Sequence, residues 1–295
     1  MTAVETARRR LIQGAVNILI AEVLLAAMAA VIKHVSLELP NPMLVFFRNL
    51  FGLVVVAPIA LRHGPRALRT QWPHLHLLRA LAGVGAMYCF FYTISAIPLA
   101  EAVLLKLTAP FFIPLIALAW LGERLPLATL AGIAIGFGGV ALVLQPGLDG
   151  IPLAGLTGLA GAALAGLAKV AIRAMGPCEP APRIVFYFGS LATVASAVPL
   201  LWAWQTPGLT SLAWLGLMGL CATGAQLLLT RAYSLAPAGR IGPFSYVAVI
   251  YSSVLGWAFW SEVPGLLTLA GSLLITLAGV LTLYRPPETS RQTAQ

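Results

Sequence analysis

Charge is scarce in this chain. Of its 295 residues only 9% are Asp, Glu, Lys or Arg, against roughly 25% in an ordinary soluble domain. That excludes a surface built for water. Cysteine is nearly absent too: Cys89, Cys178 and Cys221 lie far apart with no C-x-x-C spacing, which argues against a disulfide framework or a zinc site. His34, His63, His74 and His76 offer no compact metal set. The chain has no G-x-x-x-x-G-K-[ST] loop, no H-E-x-x-H and no G-x-S-x-G, so nucleotide hydrolysis through a P-loop, zinc proteolysis and serine-hydrolase chemistry lack their signatures. No metal and no cofactor is expected. The formal charge of +9 does not imply nucleic acid, because no Lys/Arg cluster is interleaved with aromatics as a strand-binding groove requires.

What is present is apolar length. Hydrophobic residues make up 60% of the sequence and fall in runs of the ~20 residues a helix needs to cross a bilayer. Runs such as 103 to 121 and 266 to 283 are apolar all round, whereas barrel strands alternate. The expected class is therefore an all-α integral membrane protein. Ten spans are expected, near 14 to 36, 43 to 62, 74 to 95, 100 to 120, 126 to 145, 152 to 173, 183 to 203, 211 to 235, 240 to 260 and 264 to 284. The stretch after Arg8, Arg9 and Arg10 carries Glu22 and Lys33, so it reads as a first membrane helix and not as a cleaved secretory signal.

Arginine placement gives an orientation. Arg8 to Arg10, Arg62, Arg66, Arg69, Arg79, Arg124, Arg173, Arg183, Arg231, Arg240, Arg285 and Arg291 fall at alternate loops or tails, while Glu38, Asp149 and Glu262 mark the others. Basic loops stay on the cytoplasmic side, which puts both termini in the cytoplasm and requires an even number of crossings.

The two halves repeat. Glu123 in Gly-Glu-Arg-Leu-Pro, Leu-Ala-Gly at 130 to 132 and Pro98 recur 139 positions later as Glu262, Leu-Ala-Gly at 269 to 271 and Pro237. The expected division is 1–148 and 149–295, five spans each. An odd number of spans per copy inverts the second relative to the first. Inverted repeats mark secondary transporters, with the solute site near the midplane between copies.

Ala100-Glu101-Ala102 through Pro110 and Glu123, then Pro243-Phe244-Ser245-Tyr246 through Ser261-Glu262-Val263-Pro264 and Gly271, resemble the drug/metabolite transporter superfamily in its EamA-domain form. The resemblance covers nearly the whole chain and looks most like bacterial amino-acid and metabolite exporters of the YddG type. It implies a central cavity, alternating access, and helices five and ten as scaffold or homodimer contact.

Ionisable groups inside spans are costly and usually face a cavity or a partner. Lys33, Arg48, Glu101 and Lys106 fall in the outer half of spans one, two and four and could form one polar cluster. Arg48 or Lys106 is a candidate receptor for a solute carboxylate, by a planar fork or a point charge. The plainer alternative is that Glu101 pairs with one of them to lock helices, and that Lys33 snorkels. Glu101 and Lys106 are five residues apart, about 140° round a helix, so their partners lie on different neighbours. Glu22 and Glu101 are candidates for proton coupling, against a simple polar contact of Glu22 with Asn17 or Gln13. Lys169 reads as snorkelling.

Tyr88, Tyr92 and Ser95 share one face of span three, and Thr223, Gln226, Thr230 and Tyr233 one face of span eight, by helical spacing. Tyr246, Ser253 and Trp257 share a face of span nine. These stripes suit a solute passage; interhelical hydrogen bonding, and for Trp257 an interfacial belt, explain them equally well. Pro110, Pro114 and Pro243 are hinge candidates, since proline removes helical hydrogen bonds. Glycines at 132 to 136 and 158 to 166 read as close packing.

These observations lead to a secondary transporter of the bacterial inner membrane, exporting amino acids or related small metabolites, with the solute, the lipid bilayer and a second copy in a homodimer as candidate partners. The rival is an intramembrane enzyme acting on a lipid or isoprenoid. That rival requires a convergent catalytic set, which the spans do not display.

Overall fold

A computed structural model describes residues 3–61, 69–123, 125–146, 152–175, 179–236 and 238–283. Arg62, His63, Arg66, Arg124, Asp149, Cys178, Pro237, Arg285 and Arg291 lie outside the described residues. The rest is helical: α1 Ala3–Val35, α2 Asn41–Leu61, α3 Pro73–Ala96, α4 Leu99–Lys106, α5 Ala109–Leu121, α6 Leu127–Leu144, α7 Leu153–Met175, α8 Ala181–Ala197, α9 Leu200–Ala203, α10 Leu209–Leu235, α11 Ala238–Ile241, a 3₁₀ turn Gly242–Tyr246, α12 Val247–Trp260 and α13 Leu266–Leu283. Helix is what lipid demands, because every backbone N–H and C=O must find its partner within the segment. Eight helical segments among the described residues are long and apolar enough to cross a membrane, and Arg183–Ala197 and Leu266–Leu281 are shorter apolar helices. Large apolar side chains such as Val194, Leu201, Trp202 and Leu266 stand exposed, as lipid-facing residues do.

Two segments are broken, and the breaks correspond. The fourth apolar segment divides into α4 and α5 at Leu107 and Thr108, where the Thr108 hydroxyl donates to Leu105 O at 2.6 Å. The ninth divides into α11, the 3₁₀ turn and α12. Pro110 begins α5, where its missing N–H is one of the first-turn donors a helix leaves free; Pro243 lies in the 3₁₀ turn and Pro114 inside α5. Lys106 ends α4, and the residue 139 positions later, Ser245, lies in the 3₁₀ turn. The far ends correspond as well. Gly122 caps α5 at φ 66° and Ser261 caps α12 at φ 56°, the left-handed conformation that glycine adopts without strain and serine at a cost.

Packing preserves this correspondence. Exchanging each helix of one half for its counterpart maps α1 against α10 onto α7 against α3, α2 against α10 onto α8 against α3, and α12 against α1 onto α5 against α7; α2 packs on α8 and α6 on α13. Glycine sets the closest crossing: a Cβ on Gly139 would stand 2.8 Å from Gly271 O. Gly158 and Gly166 of α7 lie likewise under Leu105 and Phe112, which is the packing role expected of those glycines.

Candidate functional site

Lys106 ends α4 because the chain breaks there, so its side chain turns inward over the Phe90 ring, 4.8 Å from its centroid. Glu22, buried in the middle of α1, faces it. The Ser245 hydroxyl of the 3₁₀ turn stands between the Glu22 carboxyl and the Tyr233 hydroxyl of α10. Lys169 of α7 completes the group, within electrostatic reach of both Lys106 and Glu22. Five helical segments thus converge on one carboxylate and two ammonium groups at the two breaks. Arg48, on α2, reaches Lys106 electrostatically and gives NH1 to Asn49 Oδ1 at 3.2 Å. Lys106 and Arg48 are half-exposed and Lys169 exposed. Charges at membrane depth are tolerated where they meet a partner or face water.

The structure divides the expected cluster of Lys33, Arg48, Glu101 and Lys106 in two. Glu101 accepts from Thr268 Oγ1 at 3.2 Å and faces Lys33 and Glu262, away from Arg48 and Lys106, as its angular separation from Lys106 on α4 requires. Glu22 meets Lys106, Lys169 and Ser245, while Asn17 turns back to Gln13 O at 2.7 Å. Tyr88 is half-buried on α3; Tyr92 and Gln226 are exposed. Tyr233 joins Ser245, Tyr246 is buried against Gly279, Ser253 is half-buried and Trp257 is 63% exposed. A cleft of about 520 Å³ between α1, α12 and α13, lined by Leu19, Pro243, Tyr246 and Ser272 among others, contains none of the charged residues. It opens on the apolar flank and not on the polar centre.

Two ion pairs correspond through the repeat. Lys33, in the last turn of α1, pairs with Glu262 after α12 and donates to Ile97 O at 2.9 Å; Glu262 also accepts the Leu99 N–H at 2.8 Å. Arg173, in the last turn of α7, pairs with Glu123 after α5 at 2.9 Å. The first pair is enclosed, its side chains 12% and 19% exposed; the second is open, at 47% and 34%. Lys33 neither joins Arg48 and Lys106 nor snorkels: the Glu262 carboxylate and the Ile97 carbonyl hold its tip.

A further polar knot joins the segment before α3 to the start of α8. Buried Glu179 accepts from Thr70 Oγ1 at 2.7 Å and Arg183 NH1 at 2.9 Å, with His76 Nε2 at 3.7 Å. Burial alone would raise its pKa, but these donors and charges outweigh burial and hold it below the ordinary glutamate range. Sequence reading missed Ser245 and Lys169 as members of the centre. The 139-residue offset carrying Lys106 onto Ser245 was the available signal for the first.

The family model described as "EamA-like transporter family" matches residues 12–145 and again 152–284. A pseudopaline exporter, CntI, of Pseudomonas aeruginosa strain UCBPP-PA14 is 33% identical over 269 residues, covering 90% of this chain and 94% of that protein. A riboflavin transporter of Rhizobium johnstonii is 28% identical over 288 residues, with 97% and 95% covered. An S-adenosylmethionine uptake transporter of Rickettsia bellii is 24% identical over 252 residues, with 85% and 87% covered. A solved crystal structure 21% identical shares the fold at a TM-score of 0.60, over 93% of this chain and 96% of its own.

Proposed function

Because the chain belongs to the EamA-like transporter family, a family of membrane carriers and not of enzymes, we propose that it exports amino acids or related small metabolites across the bacterial inner membrane. Family membership removes the lipid-enzyme alternative. On this reading residues 1–148 and 149–295 are inverted five-helix repeats with both termini cytoplasmic. The solute passes between them by alternating access. The observation that carries the proposal is the meeting of Glu22 and Lys106 with Ser245 at the corresponding breaks of two helices. Broken helices at mid-membrane free backbone and side-chain polar groups for a solute, which intact helices facing lipid cannot do.

The relatives' names cover three chemically different cargos, so family supplies the carrier and this chain's own side chains must supply the selection. Arg48 and Lys106 receive carboxylate, the Tyr88, Tyr92, Gln226 and Tyr233 stripes line the path, and Tyr246, Ser253 and Trp257 flank it. Glu22 exchanges a proton or holds the ammonium group of the solute, while Glu101, beside Lys33 and Glu262, serves the gate at that end. The Lys33–Glu262 and Arg173–Glu123 pairs are reciprocal latches, one closed and one loosened in this conformation. The test is counterflow of labelled amino acids into liposomes holding the purified protein. Wild-type flux should fall at least tenfold in Lys106→Ala and Glu22→Gln; unchanged flux in both ends the proposal.

A further inference from the structure

The cations of the passage outnumber its carboxylates, and that excess identifies the kind of solute. Arg48, Lys106 and Lys169 were met above. Arg79 belongs with them: a third of the way along α3, its guanidinium lies 3.8 Å from the Phe188 ring centroid and within electrostatic reach of Arg48. Its Nε and NH1 are enclosed with no hydrogen-bond partner among the described residues. Its place near the helix start first suggests an ordinary loop-flanking arginine. The structure instead leaves it half-exposed, with Nε and NH1 buried.

Reach is continuous from Lys169 to Lys106, from Lys106 to Arg48 and from Arg48 to Arg79. The ion pairs Lys33–Glu262, His76–Glu179, Arg173–Glu123 and Arg183–Glu179 engage none of these four cations. Among the described residues Glu22 is the carboxylate within reach of Lys106 and Lys169, while Glu179 at the other end is taken up by Thr70, Arg183 and His76, the last of which lies within electrostatic reach of Arg79.

A set of like charges in a low-dielectric passage repels itself, and desolvation penalises each member separately. A lattice of helices that merely needed locking would pair each cation with a carboxylate, as happens at Lys33 and Arg173. An excess that protein does not neutralise is suited to a ligand that does. A zwitterion brings one carboxylate and one ammonium and leaves the net excess unchanged. A solute with two or more anionic groups reduces it, and the two guanidinium forks supply planar bidentate donors that an ammonium cannot.

We infer that the solute is a small organic polyanion, carrying two or more carboxylates or a phosphate, held along a cationic track of Lys169, Lys106, Arg48 and Arg79. The inference rests on the carrier reading and narrows its cargo.

The experiment is binding to the purified full-length protein in detergent at fixed ionic strength, by isothermal titration and thermal shift. The probes are citrate, glutamate, glycerol 3-phosphate, leucine and lysine. Citrate or glycerol 3-phosphate should bind at least tenfold more tightly than leucine, and the two together distinguish carboxylate from phosphate. Arg79→Gln and Arg48→Gln should each weaken that binding at least tenfold, Arg79→Lys less, and Arg231→Gln, on the exposed end of α10, not at all. Thermal unfolding of each variant without solute separates lost binding from lost folding. Leucine or lysine binding as tightly as every polyanion overturns the inference, as does absence of binding by the whole panel or unaltered binding in both glutamine variants. Leucine counterflow without polyanion binding removes the inference and leaves the carrier; polyanion binding without counterflow of any probe does the reverse.

Discussion

Removing the Glu262 charge should open the end of the passage that the Lys33 pair closes. In Glu262→Gln the Lys33 ammonium loses its carboxylate and keeps Ile97 O and the Trp260 ring, while the Leu99 N–H loses a charged acceptor. A fully buried pair broken on one side costs about 3–5 kcal/mol, and an exposed pair contributes about 0–1 kcal/mol. With side chains 12% and 19% exposed, this latch falls between, at about 2–3 kcal/mol by the same comparison. The Arg173–Glu123 pair, at 47% and 34%, belongs with the exposed class. The difference of about 2 kcal/mol corresponds to roughly a 30-fold shift in the ratio of the two conformations. Spin labels introduced by Leu37→Cys and Val263→Cys, both exposed beside the latch, in a background without native cysteines, report the opening by pulsed electron resonance. The distance distribution should move to longer values in Glu262→Gln, and hardly change in Glu123→Gln. In the opened state the repeat offset leads Arg173 to Ala236 O and Glu123 to the Ala238 N–H, the counterparts of Ile97 and Leu99. An unchanged distribution in Glu262→Gln, or a larger change in Glu123→Gln, refutes the latch.

Other consequences are simpler to read. Glu179, its pKa held low by Thr70 and Arg183, contributes stability that is present above the ordinary glutamate range and lost as pH falls through its depressed value; acid unfolding monitored by intrinsic fluorescence should show this, and Glu179→Gln should flatten that limb while costing about 1–3 kcal/mol at neutral pH. Gly271→Leu would drive a side chain into the Gly139 backbone and should lower the thermal midpoint in detergent, whereas Gly138→Leu, with open space at its Cβ, should not. Ser261→Gly relieves the left-handed cap of α12 and should raise stability by about 1 kcal/mol, checked by the same melt.

The membrane class and segment limits were legible because a helix in lipid must be long and continuously apolar; expected spans such as 126 to 145 and 152 to 173 lie close to Leu127–Leu144 and Leu153–Met175. The repeat was legible because Glu123 and Glu262, in corresponding caps, keep the same residue. The centre was only half legible. Lys106 and Glu22 drew attention as charges inside spans, but their meeting depends on the α4 break turning Lys106 towards α1; Pro110 marks where that break falls, not which way it turns the side chain. Arg79 and Lys169 lie near helix ends, where snorkelling is the ordinary fate of a long cation, and only the packing of α3 and α7 against their neighbours shows their surroundings. The partner of Lys33 was hidden for a different reason: Glu262 lies 229 positions away, and the pair is visible only once the halves are docked.

The account depends most on water reaching the junction of the two broken helices. Ser245→Cys, in the cysteine-free background, should react with a membrane-impermeant thiol reagent from one face of sealed vesicles and be protected by the transported solute, while Val194→Cys on the lipid-facing flank should stay unreactive. A Ser245→Cys variant that remains unreactive from both faces would contradict the existence of the passage.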